Sequence, residues 1–209
     1  TDDCSYHKLI AKLLAVIQFT QKGTPFIFQG DELGMTNSKF QHISDFRDIE
    51  SLNLYQELVK EKGEGEVLRI LNAGSRDQGR GVMIWNEHQY AGFSEKQPWI
   101  WPQEQPVVAS VEEQKKDQNS VLVFYQDLLH FRKDNDTLLY GDTYFYGKHK
   151  KNIFAYRRAD QSKSLYIHCN LSKQEQIFKT YYPVKTLLFS NYETLKADRD
   201  RKSTRLNSS

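Results

Sequence analysis

Nothing in the sequence approaches the roughly 20 consecutive apolar residues that a membrane-spanning helix needs. A dominant charge is missing as well, since 29 Lys and Arg stand against 27 Asp and Glu, leaving a net of +2. With both signs mixed along the chain there is no field to draw nucleic acid or an anionic membrane surface, so neither is expected as a partner. A neutral ligand fits better. Cysteine is scarce: Cys4 and Cys169 lie far apart in apolar or helical settings, which argues against a disulfide framework and for a reducing, cytoplasmic setting. The six histidines, at positions 7, 42, 88, 130, 149 and 168, form no His-x-x-x-His or Cys-x-x-Cys spacing, so no zinc site and no other metal or cofactor is expected. A Gly-rich phosphate loop, a Gly-x-Ser-x-Gly elbow, a catalytic-cysteine context and an internal repeat are all lacking. There is no initiator Met either. The chain opens on polar Thr1-Asp2-Asp3-Cys4 and turns helical almost at once, which reads as a cut edge; a signal peptide is not excluded.

What is present has a clear order. Apolar residues recur at Leu9, Leu13, Val16 and Ile17 up to Phe19 at helical steps, and Gly23 ends the run. Thr24-Pro25 leads into Phe26-Ile27-Phe28, a short apolar run bounded by Pro and Gly30, the pattern of a strand buried on both faces. Helix, turn and buried strand make an α/β unit. Asp31 and Glu32 follow directly, at the strand end where parallel α/β folds and barrels gather their sites. Further helices are predicted over 48–61, 64–71 and 120–132, the last with Asn119 as its N-cap, around a Gly-, Trp- and Pro-rich region at 72–106 that is too long for an idle loop. After about Leu138 the pattern changes to short β runs at 143–146, 153–157, 164–170, 175–178 and 185–189, predicting a small antiparallel second domain. The final stretch, Asp200 to Ser209, is polar and basic with no face to bury. It reads as the translation of sequencing-adapter DNA and is excluded from functional argument.

One polar cluster stands out, Ser75-Arg76-Asp77-Gln78-Gly79-Arg80-Gly81, followed by Met83 and Trp85. Two guanidiniums flank a carboxylate among glycines, so an Arg fork can reach a carboxylate or sugar hydroxyls. The same residues equally make an ion pair bracing a long loop, which is the commoner use.

Several ordered blocks resemble one family. Gly23 to Asn37 is similar to the last barrel strand and following loop of glycoside hydrolase family 13, the α-amylase family. Asp45 to Glu50 with Leu52-Asn53 looks like its next block. Ser75-Arg76-Asp77, Arg80, Met83 and Trp85 fall on its Arg-Asp-Asn-Ala-Arg-Thr-Pro-Met-Gln-Trp signature; Ala91-Gly92-Phe93 and Pro98-Trp99 continue it, Asn119 to Lys133 resembles the last barrel helix, and Leu187 to Tyr192 resembles the late β-domain. The resemblance covers nearly all of 1–197 and is nearest to oligo-1,6-glucosidases, dextran glucosidases and trehalose-6-phosphate hydrolases. It implies the C-terminal end of a (β/α)8 barrel over 1–137, then a truncated antiparallel β-sandwich domain over 138–199.

By that resemblance the parent is a retaining hydrolase of α-1,6 or α-1,4 glucosidic bonds in short gluco-oligosaccharides or disaccharides. The nucleophile, the acid and a third carboxylate lie upstream of residue 1, so the fragment itself is expected to be inactive. Trehalose-6-phosphate hydrolysis is the alternative, as is a non-catalytic amylase-like transporter partner. Arg80 matches the arginine of the non-reducing-end glucose subsite, whereas Arg76, Asp77, Asp31 and Glu32 are expected to support loops near the site. The family's calcium site lies outside this stretch, and no metal is implied. The sequence departs from the signature at Gln78-Gly79, in place of Asn-Ala, and at Gly81-Val82-Met83-Ile84, in place of Thr-Pro-Met-Gln. Losing a proline and gaining glycines should loosen this loop.

Overall fold

The computed structural model describes residues 6–101, 108–147, 151–179, 185–192, 197–198 and 203–206. Cys4, the first residues of the chain and parts of the final stretch therefore lie outside the described residues. The chain divides into two compact units, residues 1–26 with 123–209, and residues 27–122.

The first unit is built round α1 (His7–Thr20). Leu13, Val16 and Ile17 pack against Tyr156, Ile167 and Cys169 of a three-stranded antiparallel sheet, β1 (Asp142–Tyr146), β2 (Ile153–Ala159) and β3 (Ser164–Asn170), ordered β1-β2-β3. Alternation along β2 explains the arrangement. Phe154, Tyr156 and Arg158 pair with Cys169, Ile167 and Leu165, so they share the face that meets α1, while Ile153 and Ala155 line the other beside Tyr146. The buried Ala15 and Phe19 give α1 a second covered side, where Phe19 meets Tyr125 edge-on at 5.3 Å. Tyr125 belongs to α5 (Val121–Lys133).

A helix leaves its last carbonyls without partners, and here two buried arginines supply them. Arg132 of α5 donates from Nη1 to the carbonyls of Phe19 and Gln21 at 2.6 and 3.1 Å, and from Nη2 to Gly23 at 2.6 Å. Arg158 of β2, fully buried, donates to Thr20 at 2.8 Å and to Gly141 at 2.8 Å. The negative end of the helix dipole favours both cations. Burial pulls both guanidinium pKa values down, and Arg132 adds to the effect at Arg158. Both remain cationic at neutral pH, because arginine starts so high.

A second antiparallel sheet, β4 (Gln176–Lys179), β5 (Ala197–Asp198) and β6 (Ser203–Leu206), has the order β4-β6-β5. Two sequence expectations fail in this region. The run 185–189 is not a strand: Leu187 and Leu188 are exposed, and Phe189 instead meets the rings of Phe124 and Phe131 on α5 at 4.9 and 5.7 Å. Conversely, Ser203–Leu206, where no element was expected, pairs along β4 from Gln176↔Leu206 to Lys179↔Ser203. Backbone pairing needs no apolar face, which is why the composition gave no warning.

In the second unit, α2 (Ile49–Lys62) and α3 (Glu64–Gly74) pack over Phe40, Phe46, Val67, Leu71 and Ile100. A short α4 (Val111–Lys116) starts with a capping box, in which Ser110 Oγ accepts from the Glu113 N–H and the Glu113 carboxylate accepts from the Ser110 N–H. Helix α5 begins at Val121, so Asn119 lies one residue short of flanking it, and the Leu122 N–H is met by the Gln114 side chain at 3.0 Å. A four-residue α6 (Asp136–Leu139) precedes β1 in the first unit.

The expected buried strand at Phe26 to Gln29 does not form. No strand is assigned there, and Phe26, Ile27 and Phe28 are 81%, 42% and 58% exposed. A strand exists only through a neighbour's hydrogen bonds, and this apolar run has no ladder partner among the described residues.

Three outcomes follow for the isolated chain. Exposed apolar rings promote association, so Phe26→Ser with Phe28→Ser should raise the monomer fraction in light scattering relative to the parent chain. Arg158→Met, which leaves two buried carbonyls without donors, should cost roughly 3 kcal/mol in urea unfolding. Burial holds the His168 imidazole down at about 4, against 6.5 for a free one, with Tyr146 Oη 2.8 Å from its Nε2. As pH falls from 6.5 to 4, the unfolded chain takes up a proton that the folded chain refuses. Stability should therefore drop by roughly 3 kcal/mol across that window and level off below it; unfolding of the parent and of His168→Asn at pH 7 and 4.5 measures the difference.

Candidate functional site

The site residues named from sequence all lie in the second unit, and the structure sorts them by what they hold. Asp31 and Glu32 sit in a 3-10 turn (Asp31–Leu33) between Gly30 and Gly34, both left-handed. At Gly30, φ is 96°, and a Cβ would come within 2.8 Å of Met35 Sδ, so only glycine fits. The Asp31 carboxylate accepts from the Phe28 N–H at 3.2 Å and Glu32 from the Gly30 N–H at 2.8 Å. Both carboxylates thus accept from backbone N–H groups of their own loop.

Asp77 is the centre of the second cluster. It is fully buried, and its Oδ2 accepts the N–H groups of Arg47 and Asp48 at 2.7 and 2.9 Å where the chain enters α2. Its Oδ1 accepts from Arg80 Nη1 at 3.0 Å. Asp48, also buried, caps α2 by accepting from Ser51 N–H and Oγ, and the Ser51 and Ser75 hydroxyl oxygens lie in hydrogen-bond contact at 2.8 Å, with Ser51 left to accept. Arg80 Nη1 lies 3.6 Å from Asp48 as well. The positive end of α2 is a suitable place for two carboxylates. Asp48 carried no role in the sequence reading, although the Asp48-x-x-Ser51 spacing at a helix start marks a cap.

Arg80 ends a 3-10 turn (Arg76–Arg80) with its side chain 38% exposed. Among the described residues it is held through Nη1 alone, so Nε and Nη2 make no hydrogen bond there. One nitrogen of the guanidinium therefore braces the loop, and the side chain as a whole is partly exposed. Arg76 is separate from this network. It pairs with Glu50 at 2.8 Å, and both side chains are more than 60% exposed.

Around this turn runs a shallow cleft of about 180 Å³, lined by Phe28, Gln29, Asp31, Asn37, Gly79 and Met83 among others. Its walls are tied together by Gln29, whose Nε2 donates to the Gly81 carbonyl at 3.3 Å. A Cβ at Gly79 would touch the Phe28 ring at 3.4 Å. The loosening expected from the glycines is opposed by Gln78, which exchanges two hydrogen bonds with the Ser38 backbone. Among the described residues no group of three or more His, Cys, Asp or Glu is placed to hold a metal ion, and no helix is long and apolar enough to cross a membrane.

Residues 1–141 match the family described as alpha amylase, catalytic domain, and the chain belongs to the α-amylase family, glycoside hydrolase family 13. It is 36% identical over 203 residues to the oligo-1,6-glucosidase of Parageobacillus thermoglucosidasius, covering 94% of this chain and 36% of that protein. It is 40% identical over 184 residues to the trehalose-6-phosphate hydrolase of Bacillus subtilis (strain 168), covering 85% of this chain and 32% of the relative. The crystal structure of Bacillus licheniformis trehalose-6-phosphate hydrolase superposes with a TM-score of 0.88 at 34% identity, over 99% of this chain and 38% of that one. The chain therefore spans about a third of the length of its relatives and includes part of a family barrel domain.

Substitutions separate brace from surface. Asp77→Asn sets an NH₂ group against either the two backbone N–H donors or the guanidinium, and should lower unfolding stability by roughly 2–3 kcal/mol. Arg76→Ala should stay within about 0.5 kcal/mol of the parent in the same assay.

Proposed function

We propose that this chain is the C-terminal part of a retaining α-glucosidase that removes terminal α-1,6-linked, or α-1,4-linked, glucose from short oligosaccharides. The observation that carries the reading is Arg80, oriented by a fully buried carboxylate through one nitrogen while its side chain stays 38% exposed. A planar fork of donors fixed in this way suits vicinal sugar hydroxyls, since its orientation is set before the ligand arrives. Similarity to oligo-1,6-glucosidases along 94% of the chain supports the linkage.

In this proposal residues 1–137 close the barrel, with the segment at 26–29 as its last strand, and residues 138–199 form the small antiparallel β-sandwich domain; 200–209 play no part. The chemistry belongs to two carboxyl groups upstream, about 5 Å apart, one attacking the anomeric carbon and the other protonating the departing oxygen. The expected setting is the cytoplasm. A second reading, hydrolysis of trehalose 6-phosphate, is favoured by the 40% identity to an enzyme of that name.

Expression of the complete protein and assay on isomaltose, maltose and trehalose 6-phosphate decides the substrate. Arg80→Ala should lower kcat/KM on the preferred one by about 10- to 100-fold, the worth of one or two hydrogen bonds from a charged donor. An unchanged kcat/KM would remove Arg80 from the sugar site. No turnover of any of the three, with the upstream acids missing from the sequence, would place the protein in the non-catalytic branch.

A further inference from the structure

The turn that carries Arg80 is pinned on two sides, and only one of the pins is electrostatic. Asp77 ties it to the entry of α2. Gln78, one residue on, works through its carboxamide: Nε2 donates to the Ser38 carbonyl at 3.0 Å and to the Asn72 carbonyl at 3.1 Å, while Oε1 accepts the Ser38 N–H at 2.8 Å. The side chain thus meets Ser38 as a neighbouring strand would, through both backbone groups of one residue. Asn72, near the end of α3, repeats the device on Phe40, accepting its N–H at 2.8 Å and donating to its carbonyl at 2.9 Å. Two amides in series therefore fix the segment 38–40 against α3 and against the Arg80 turn. Asn37 also belongs to this assembly, donating to the Asn72 carbonyl at 3.0 Å. Asn37, Gln78 and Gly79 line the same cleft.

We infer that Gln78 is a positioning residue for Arg80, fixing the turn that carries the guanidinium against the 38–40 segment and so setting where the guanidinium meets the terminal glucose. The inference rests on the reading of Arg80 as the sugar-contacting group. Length is the argument. An amide one methylene shorter falls about 1.5 Å short of Ser38, so it either releases the clamp or drags the turn with it. A displacement near 1 Å at a group that orients substrate is enough to cost on the order of 100-fold in rate. Asp77 cannot compensate, because it holds Arg80 relative to α2 and makes no bond to the 38–40 segment among the described residues.

The test is a double-substitution cycle in the complete protein: the parent, Gln78→Ala, Arg80→Ala and the pair, each assayed on isomaltose and maltose, with thermal unfolding measured alongside and Gln78→Asn as a fifth variant. The expected result is a roughly tenfold fall in kcat/KM for Gln78→Ala on both sugars, a fall of similar size for Gln78→Asn, and less than a twofold effect of Gln78→Ala once Arg80 is already alanine. A residue that merely stabilises the fold lowers activity by the same factor in both backgrounds, and that pattern would overturn the inference. If the parent turns over neither sugar, the glucosidase reading has failed separately. Isomaltose affinity by calorimetry on the same proteins then decides the coupling, with additive losses, or no binding by the parent, counting against it.

Discussion

A carboxyl group with no exposure to water must have its oxygens met by donors, and Asp77 is met by an arrangement that organises its whole unit. Two of its partners are backbone N–H groups at the start of a helix, so the carboxyl group and the helix entry fix each other. The third is Arg80, which is consequently aimed before any ligand is present. Remove the acid and three things lose their reference at once: the entry of α2, the 3-10 turn and the Arg80 guanidinium. The hydroxyl link from Ser51 to Ser75 and the Gln78 amide bring adjoining backbone to the same frame.

The other unit solves a different problem with the same residue type. Helix α1 ends in carbonyls that point into protein, and Arg132 and Arg158 arrive from a helix and a strand to receive them. Each guanidinium is distributed over several oxygens that already carry partial negative charge, so neither needs a carboxylate to make its burial tolerable. Sequence reading gave no hint of this for Arg158. It sits in a strand of alternating pattern where an arginine is ordinarily assigned to the solvent face.

Much of the fold was legible because its signals are local. The helices at 7–20, 49–62 and 64–74 follow apolar spacing, and Ile153–Ala159 and Ser164–Asn170 follow alternation. The failures share one cause, namely that strand formation depends on a partner the sequence does not reveal. Phe26 to Phe28 has strand composition and no ladder, the run at 185–189 spends Phe189 on α5, and Ser203–Leu206 has no strand composition yet pairs. Helix α4 was overlooked, though Ser110-x-x-Glu113 announces it. At the site, the acid–arginine cluster was visible as composition. What composition could not separate was Arg76 from Arg80, identical side chains four residues apart, of which one faces a surface acid and the other a buried one.

The strand at Ser203–Leu206 bears on how this end of the chain can be handled, whatever its origin. Its place between β4 and β5 is held by main-chain groups, and its four residues, Ser, Thr, Arg and Leu, offer almost nothing that would be called specific. For anyone fusing a peptide to this end of the chain, the sheet is an adhesive surface: an appended tag of extended conformation can be absorbed into the ladder and hidden from its antibody or resin, whereas a helical or proline-rich spacer leaves the tag in solution.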